Sequence, residues 1–386
     1  MVTRRQVLTT LGAGVVAAGG YGYVVLEPQI NPPPAEVGFE LTPDELAQAN
    51  KLLDTYPAID VHAHPGRTFV KDAENLKWKL WLYAAKGSFE DDTVADMVAG
   101  KIAAASFSGV SDFPVLNVAK GGLKSVRPFA DGEAWKYYQD QLANLREFVK
   151  GGKVHQVLEP TDIAKAIASG KPGAMFAMEG ADFLDGKIER VATIAKDGMR
   201  MVTLVHYIDN GDMGDIITGE PVNKGLTSFG REAVTEMNAN RIMIDLAHAS
   251  EKTAFDAISI STHPVVATHT HIKKAEGGHP RFISKELAQA IVETKGYVGA
   301  WPAGIGISSL EGYVTRIVEL VETLGVDHVA IGSDMDANYK PVFENYQKMP
   351  LIVGRLLRHG MSEADIAKII GGNFMRVFET VRGAQA

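Results

Sequence analysis

Short apolar runs recur along the chain from residue 58 onward, and amphipathic stretches of helical period separate most of them. Eight runs read as strands: 58–64, 102–108, 174–179, 201–206, 242–248, 264–270, 297–301 and 328–334. Between them, 187–197, 229–240, 252–259, 284–294 and 312–324 carry apolar residues at helical spacing. Strand–helix alternation repeated eight times predicts a (β/α)8 TIM-type barrel. A doubly wound open sheet would carry a Gly-rich phosphate loop after an early strand, and none is present. Thr42-Pro43-Asp44-Glu45 opens the pattern with an N-cap Thr, a Pro at N1 and a Glu at N3, a capping-box start for a helix to about Thr55. Beyond the last strand, 349–359, 362–371 and 373–381 read as C-terminal helices, with Ser362 to Asp365 a second capping-box-like start. The segment 67–173 holds only one strand and must contain insertions. Its Trp78, Trp81, Trp135, Tyr137 and Tyr138 are expected to pack helices over the barrel mouth or against a partner subunit, plain core aromatics being the alternative.

Length and composition fit one such barrel. The chain has 386 residues, 46% of them hydrophobic, with 39 glycines. Its net charge of −8, without a basic stripe, gives no sign of a nucleic-acid partner. Cysteine is absent, which excludes disulfides, thiolate metal sites and cysteine nucleophiles. The segment from Thr3 to Leu8, TRRQVL, resembles a twin-arginine export signal, and an uncharged Gly/Ala/Val-rich run follows over 11–25. That run is too short to span a bilayer comfortably. The expected organisation is an export signal over 1–27, a Pro-rich linker over 28–41 and a single barrel domain over 42–386. Export through the twin-arginine machinery, to the periplasm or otherwise out of the cytoplasm, is the expectation. An uncleaved leader acting as a membrane tether is the alternative.

Chemistry concentrates at the strand ends. AIDVHAHPG places His62 and His64 two residues apart, on one face of the first strand, where both can reach one metal ion. Glu179 closes the third run, His206 the fourth, His248 the fifth, His269 the sixth and Asp334 the eighth. Any one of these could be a hydrogen-bonded core residue or a turn cap. Six strands of eight ending in His, Glu or Asp, on the face where barrels carry their active sites, point to a site instead. Four histidines and a carboxylate between them suit two borderline-soft divalent ions, zinc first.

The motifs AMEG, GMRMVTLVH, MIDLAHAS, HPVVATHT, HPRFIS, HVAIGSDMD and NFMRVFE together resemble the membrane (renal-type) dipeptidase family, peptidase family M19 of the amidohydrolase superfamily, over about 60–378. The resemblance implies a zinc-dependent dipeptidase acting through a metal-bridging hydroxide. It makes His62 and His64 ligands of one ion and His248 and His269 ligands of the other, with Glu179 bridging. It gives His206 the scissile carbonyl, Arg281 the substrate carboxylate and Asp334 the proton, and it implies a homodimer. Each role suits its side chain: Arg281 offers a planar fork for a carboxylate, and Asp334 an acceptor for the proton of the attacking water.

The sequence departs from the family at His64, where the family pattern His-x-Asp becomes His-x-His. The first ion thereby loses an anionic ligand. His271 is a second departure, expected on a loop at the mouth, with a place beside His269 as the alternative. His155, His263, His279, His328 and His359 read as structural or surface residues. Two other functions stay open: a related hydrolase of a non-dipeptide amide or lactone, and an exported metal-dependent maturation factor for a peptide-derived metabolite.

Overall fold

The structure is a computed structural model that describes residues 34–119, 122–209, 211–274 and 278–383. The expected export signal and residues 28–33 of the Pro-rich linker lie outside the described residues. Eight parallel strands follow in chain order: β1 (Ala58–Ala63), β2 (Ile102–Val110), β3 (Gly173–Glu179), β4 (Met199–Thr203), β5 (Met243–Asp245), β6 (Val265–Thr270), β7 (Val298–Ala300) and β8 (Val329–Ile331). Each pairs with the next, β1 pairs with β8 through Asp60 and Ile331, and the sheet closes on itself. The longest seam joins β2 to β3 in unbroken register from Ala104–Gly173 to Val110–Glu179. This is the expected (β/α)8 barrel. No helix among the described residues is long and apolar enough to cross a membrane.

Alternation along the strands sorts side chains between two cores. Met175 and Ala177 of β3 join Ile59, Val61, Met201, Met243 and Val266 in a cluster inside the barrel. Ala174, Phe176 and Met178 point outward into the larger layer beneath the helices. Glu179 continues the inward parity and so arrives at the top of the barrel lumen. The helix Asn373–Arg382 closes the opposite end with Phe374 and Phe378.

The helix starts read from the sequence are present. Thr42 and Glu45 form the reciprocal capping box of helix Pro43–Thr55. Thr227, Ser250, Ser284 and Ser309 each cap the first turn of the helix they precede, an arrangement contributing about 1 kcal/mol per cap. Ser362 accepts from the Asp365 N–H, but the following helix does not stop near 371. It passes through a π-helical turn, Lys368–Gly372, straight into Asn373–Arg382.

Three strands are shorter than expected. Regular pairing ends at Thr203, Asp245 and Ile331, three residues before His206, His248 and Asp334. Beyond Asp245 and Ile331 buried carboxylates take over as acceptors. Asp245 accepts from the N–H groups of Ala247 and Thr268, and Asp60 from those of His62 and Ser333. The aromatic insertion also divides. Tyr137 and Tyr138 are buried, whereas Trp78 and Trp81 on helix Trp78–Ala85 are each 60% exposed.

Candidate active site

Glu179 lies at the centre of the barrel mouth with five histidine side chains directed at its carboxylate. Its Oε1 is 2.9 Å from His248 Nε2, 3.3 Å from His269 Nε2 and 3.6 Å from His62 Nε2. Its Oε2 is 3.4 Å from His206 Nε2 and 3.5 Å from His64 Nε2. The ring nitrogens also meet in pairs, His62 with His64 at 3.2 Å and His248 with His269 at 3.1 Å. Asp334 Oδ1 approaches His64 Nε2 at 3.3 Å. Every metal-ligand, catalytic and substrate residue expected from the sequence is therefore in this one cluster, and none is more than 9% exposed.

Backbone geometry aims these groups. Gly180 follows Glu179 with φ 85°, and a Cβ there would lie 2.3 Å from Ser111 Oγ. Only glycine lets the chain turn so close behind the carboxylate. His248 and Asp334 hold φ of 68° and 54°, a left-handed conformation that side-chain-bearing residues adopt at a cost and that clusters at functional sites.

The hydrogen bonds fix which nitrogen each ring presents. His64 Nδ1 donates to the Ser108 carbonyl at 2.8 Å, and His206 Nδ1 donates to Asp112 Oδ1 at 2.6 Å. Nε2 of both rings is thus directed into the cluster, the position from which a neutral imidazole can ligate. Arg281 donates through Nη2 to His248 Nε2 and His269 Nε2, at 2.8 and 3.1 Å. Its Nε and Nη1 are buried without a partner, as are His62 Nδ1 and His248 Nδ1.

Equal burial produces opposite titration according to neighbours. Burial works against the Glu179 carboxylate, but His206, His62 and His248 outweigh it and hold Glu179 well below the usual carboxylate range. Burial pushes His62 well below the usual imidazole value, with His269 adding to the fall. His248 is pushed down in the same way by burial and the Arg281 charge. At His64 burial is overcome by hydrogen bonds to Asp334 and Glu179, which raise it to about 10. His206 is raised against burial by Asp112 and Glu179.

Three sets of side chains offer ligand atoms within 4.8 Å of one another: His62, Glu179 and His269; His62, His64 and Asp334; and Glu179, His206 and His248. Imidazole and carboxylate donors in this arrangement fit divalent transition ions. His62 belongs to two sets and stacks on His269 at 4.0 Å, so it stands between the two halves of the cluster.

His271 is elsewhere. As expected it lies in the loop that follows β6, but it is buried there and contacts Glu319 of helix Leu310–Leu324 at 3.3 Å and the edge of Phe282. Burial and the nearby Arg316 push it down to about 3, which keeps it neutral against that helix.

A family model for membrane dipeptidase, peptidase family M19, matches residues 46–386. The chain belongs to the membrane dipeptidase family. Among curated members it is 28% identical to dipeptidase tcpJ of Claviceps purpurea over 233 residues, 58% of this chain and 55% of that protein. It is 29% identical to an uncharacterized dipeptidase of Schizosaccharomyces pombe over 54% of this chain and 53% of that one. The chain thus spans about half the length of the curated relatives it matches. Solved structures agree in fold. The probable dipeptidase PvdM of Pseudomonas aeruginosa superposes with a TM-score of 0.71 at 18% identity, covering 89% of this chain and 99% of that one. A metallopeptidase of Rhodobacter sphaeroides, solved with a phosphinate mimic of L-Ala-D-Ala, gives 0.70 at 22% identity, covering 84% and 99%.

Four residues of this dipeptidase-family site escaped the sequence reading. Asp112, fully buried, orients His206 and also accepts from the Tyr207 N–H at 2.9 Å. Trp301 donates its indole N–H to Asp334 Oδ2 at 3.1 Å. Asp60 and Asp245 tie the strand ends together beneath the histidine–carboxylate cluster. Those two had a local signal, an Asp inside an otherwise apolar strand in AIDVHAH and MIDLAH. Asp112 and Trp301 had none.

Proposed function

We propose that the protein is a metal-dependent dipeptidase that hydrolyses the amide bond of dipeptides bearing a free C-terminal carboxylate. Arg281 carries this reading. It is a buried guanidinium beside the histidine–carboxylate cluster with two donor nitrogens lacking partners, and an anionic substrate end is what such donors bind. Two divalent ions, zinc first, would be held by His62, His64, Glu179, His248 and His269, and would supply Lewis acidity and a hydroxide nucleophile near neutral pH. The chain's own groups do the rest. His206, oriented by Asp112, presents Nε2 to the oxygen on which charge develops. Asp334 accepts the proton lost by the attacking water and returns it to the departing amine. Arg281 fixes the substrate's far end, which favours short substrates over long ones.

The relative solved with the L-Ala-D-Ala mimic makes L,D as well as L,L pairs natural candidates. The test is hydrolysis of a dipeptide panel of both kinds by protein lacking residues 1–27, with added zinc, a chelator control and metal analysis. Chelator-sensitive cleavage with about two zinc ions per chain is expected. Two bound ions with no cleavage of any dipeptide would overturn the substrate class. His64 in place of the family aspartate supports a second reading, hydrolysis of a related amide or lactone. Export to the periplasm is part of the proposal, and fractionation of cells with an intact or Arg4→Lys, Arg5→Lys leader tests it.

A further inference from the structure

Trp301 leaves the end of β7 with its backbone fixed on both sides. Its N–H donates to the Thr270 carbonyl at 3.2 Å, and its carbonyl accepts from Arg316 Nη1 at 2.6 Å. The indole so placed is 5% exposed and touches two of the three groups that the proposed reaction needs besides the ligands, Asp334 and Arg281. Its Nε1–H donates to Asp334 Oδ2, which leaves Oδ1 facing His64. Its ring lies 5.0 Å from the Arg281 guanidinium carbon, within cation–π range. The ring edge also approaches His269, with centroids 5.8 Å apart.

We propose that Trp301 is a positioning residue that sets Asp334 and Arg281 together, so that the proton acceptor and the carboxylate clamp keep a fixed spacing. The inference rests on the dipeptidase reading above. Asp334 sits on a left-handed backbone at the end of a short loop, and its two oxygens are distinct only if something holds the carboxylate plane. The indole N–H is a single, directional donor that does this without carrying charge. The face of the same ring gives the guanidinium a surface to lie on, limiting its swing between the histidines and an incoming carboxylate. Spacing fixed in this way selects for substrates whose carboxylate stands one residue from the scissile bond.

Two variants separate the contacts. Trp301→Phe keeps a ring beneath Arg281 and removes only the N–H. The expected result is a kcat lower by roughly 10- to 100-fold with KM within about twofold of native. Trp301→Leu removes both contacts. It should add a KM increase of about 3- to 10-fold for free-carboxylate dipeptides and none for amide-capped ones. An unchanged kcat in Trp301→Phe, or a KM increase in Trp301→Leu equal on both substrate types, would overturn the assignment.

A measurement on native Trp301 does not depend on turnover. The indole N–H, identified by NMR against Trp301→Phe, should exchange with solvent more slowly than those of exposed Trp78 and Trp81. It should lose that protection by at least about tenfold in Asp334→Ala. Protection unaffected by Asp334→Ala would also overturn the proposal. Failure of the native enzyme to cleave any dipeptide would overturn the activity while leaving this indole result to be judged by itself.

Discussion

The two halves of the site share burial and composition but not electrostatics. On the β1–β8 side, His64 faces the carboxylates of Asp334 and Glu179 and is raised to about 10. On the β5–β6 side, burial and the facing Arg281 guanidinium push His248 well below its ordinary value. His62, only two residues from His64, is lowered as His248 is, by burial first and then by the neighbouring His269. Glu179 faces both halves, while Asp334 adds a second carboxylate on one side and Arg281 a guanidinium on the other, an asymmetry that the dipeptide proposed as substrate would match. The amide to be cleaved needs proton acceptors, and the terminal carboxylate needs a positive clamp.

The largest expected effect comes from disabling the half that holds Asp334. Asp334→Asn should lower kcat by about 10²- to 10⁴-fold while metal content stays at the native level. A fall in bound metal would instead place Asp334 among the ligands with His62 and His64. Disabling the other half should show in substrate choice. Arg281→Ala should reduce kcat/KM for free-carboxylate dipeptides by roughly 10- to 100-fold and leave amide-capped analogues little changed. Equal losses on both would remove the clamp role.

His64→Asp returns the family pattern and adds an anion to the already anionic side. Competition with a chelator should show the first ion bound about tenfold more tightly. Unchanged affinity would mean that His64 does not ligate.

The smallest effect concerns a carboxylate that lacks the imidazole surroundings of Glu179. Asp182, three residues on, is raised to about 7 by burial and by Asp112 and Asp212. A folded value above the ordinary 3.8 means that its contribution to stability is present in full below that value and is lost as pH rises through about 7. Asp182→Asn does not titrate. Its Tm relative to native protein should therefore rise by a few degrees between pH of about 4 and about 8, measured by thermal unfolding. A flat difference would show that Asp182 is not strained in this way.

These contrasts also explain what could be read from the chain. The barrel was legible because its strands are apolar runs with period-two parity, and the capping residues mark helix starts within a few positions. The clustering of His62, His64, Glu179, His206, His248, His269 and Asp334 was legible because the fold delivers strand ends to one face, so chain position alone brings them together. The strand limits at Thr203, Asp245 and Ile331 were not, since LVH and DLAH look like continuing strand. Nor were Asp112 and Trp301. Asp112 meets His206 across 94 positions, and Trp301 meets Asp334 across 33, by contacts that only the closed barrel creates. His271 shows the converse. Its spacing from His269 suggested a shared face, but the strand ends between them and the side chain turns to a helix.

The left-handed backbone at Asp334 decides how a mutational scan of this position should be read. Asparagine is among the few side chains at home at positive φ, whereas β-branched residues are strongly disfavoured there. Valine or threonine would therefore lower folded yield as well as turnover, and their inactivity would say little about chemistry. Asparagine changes the proton inventory at almost constant backbone energy. It is the one replacement at this site whose kinetic cost can be assigned to the carboxylate itself.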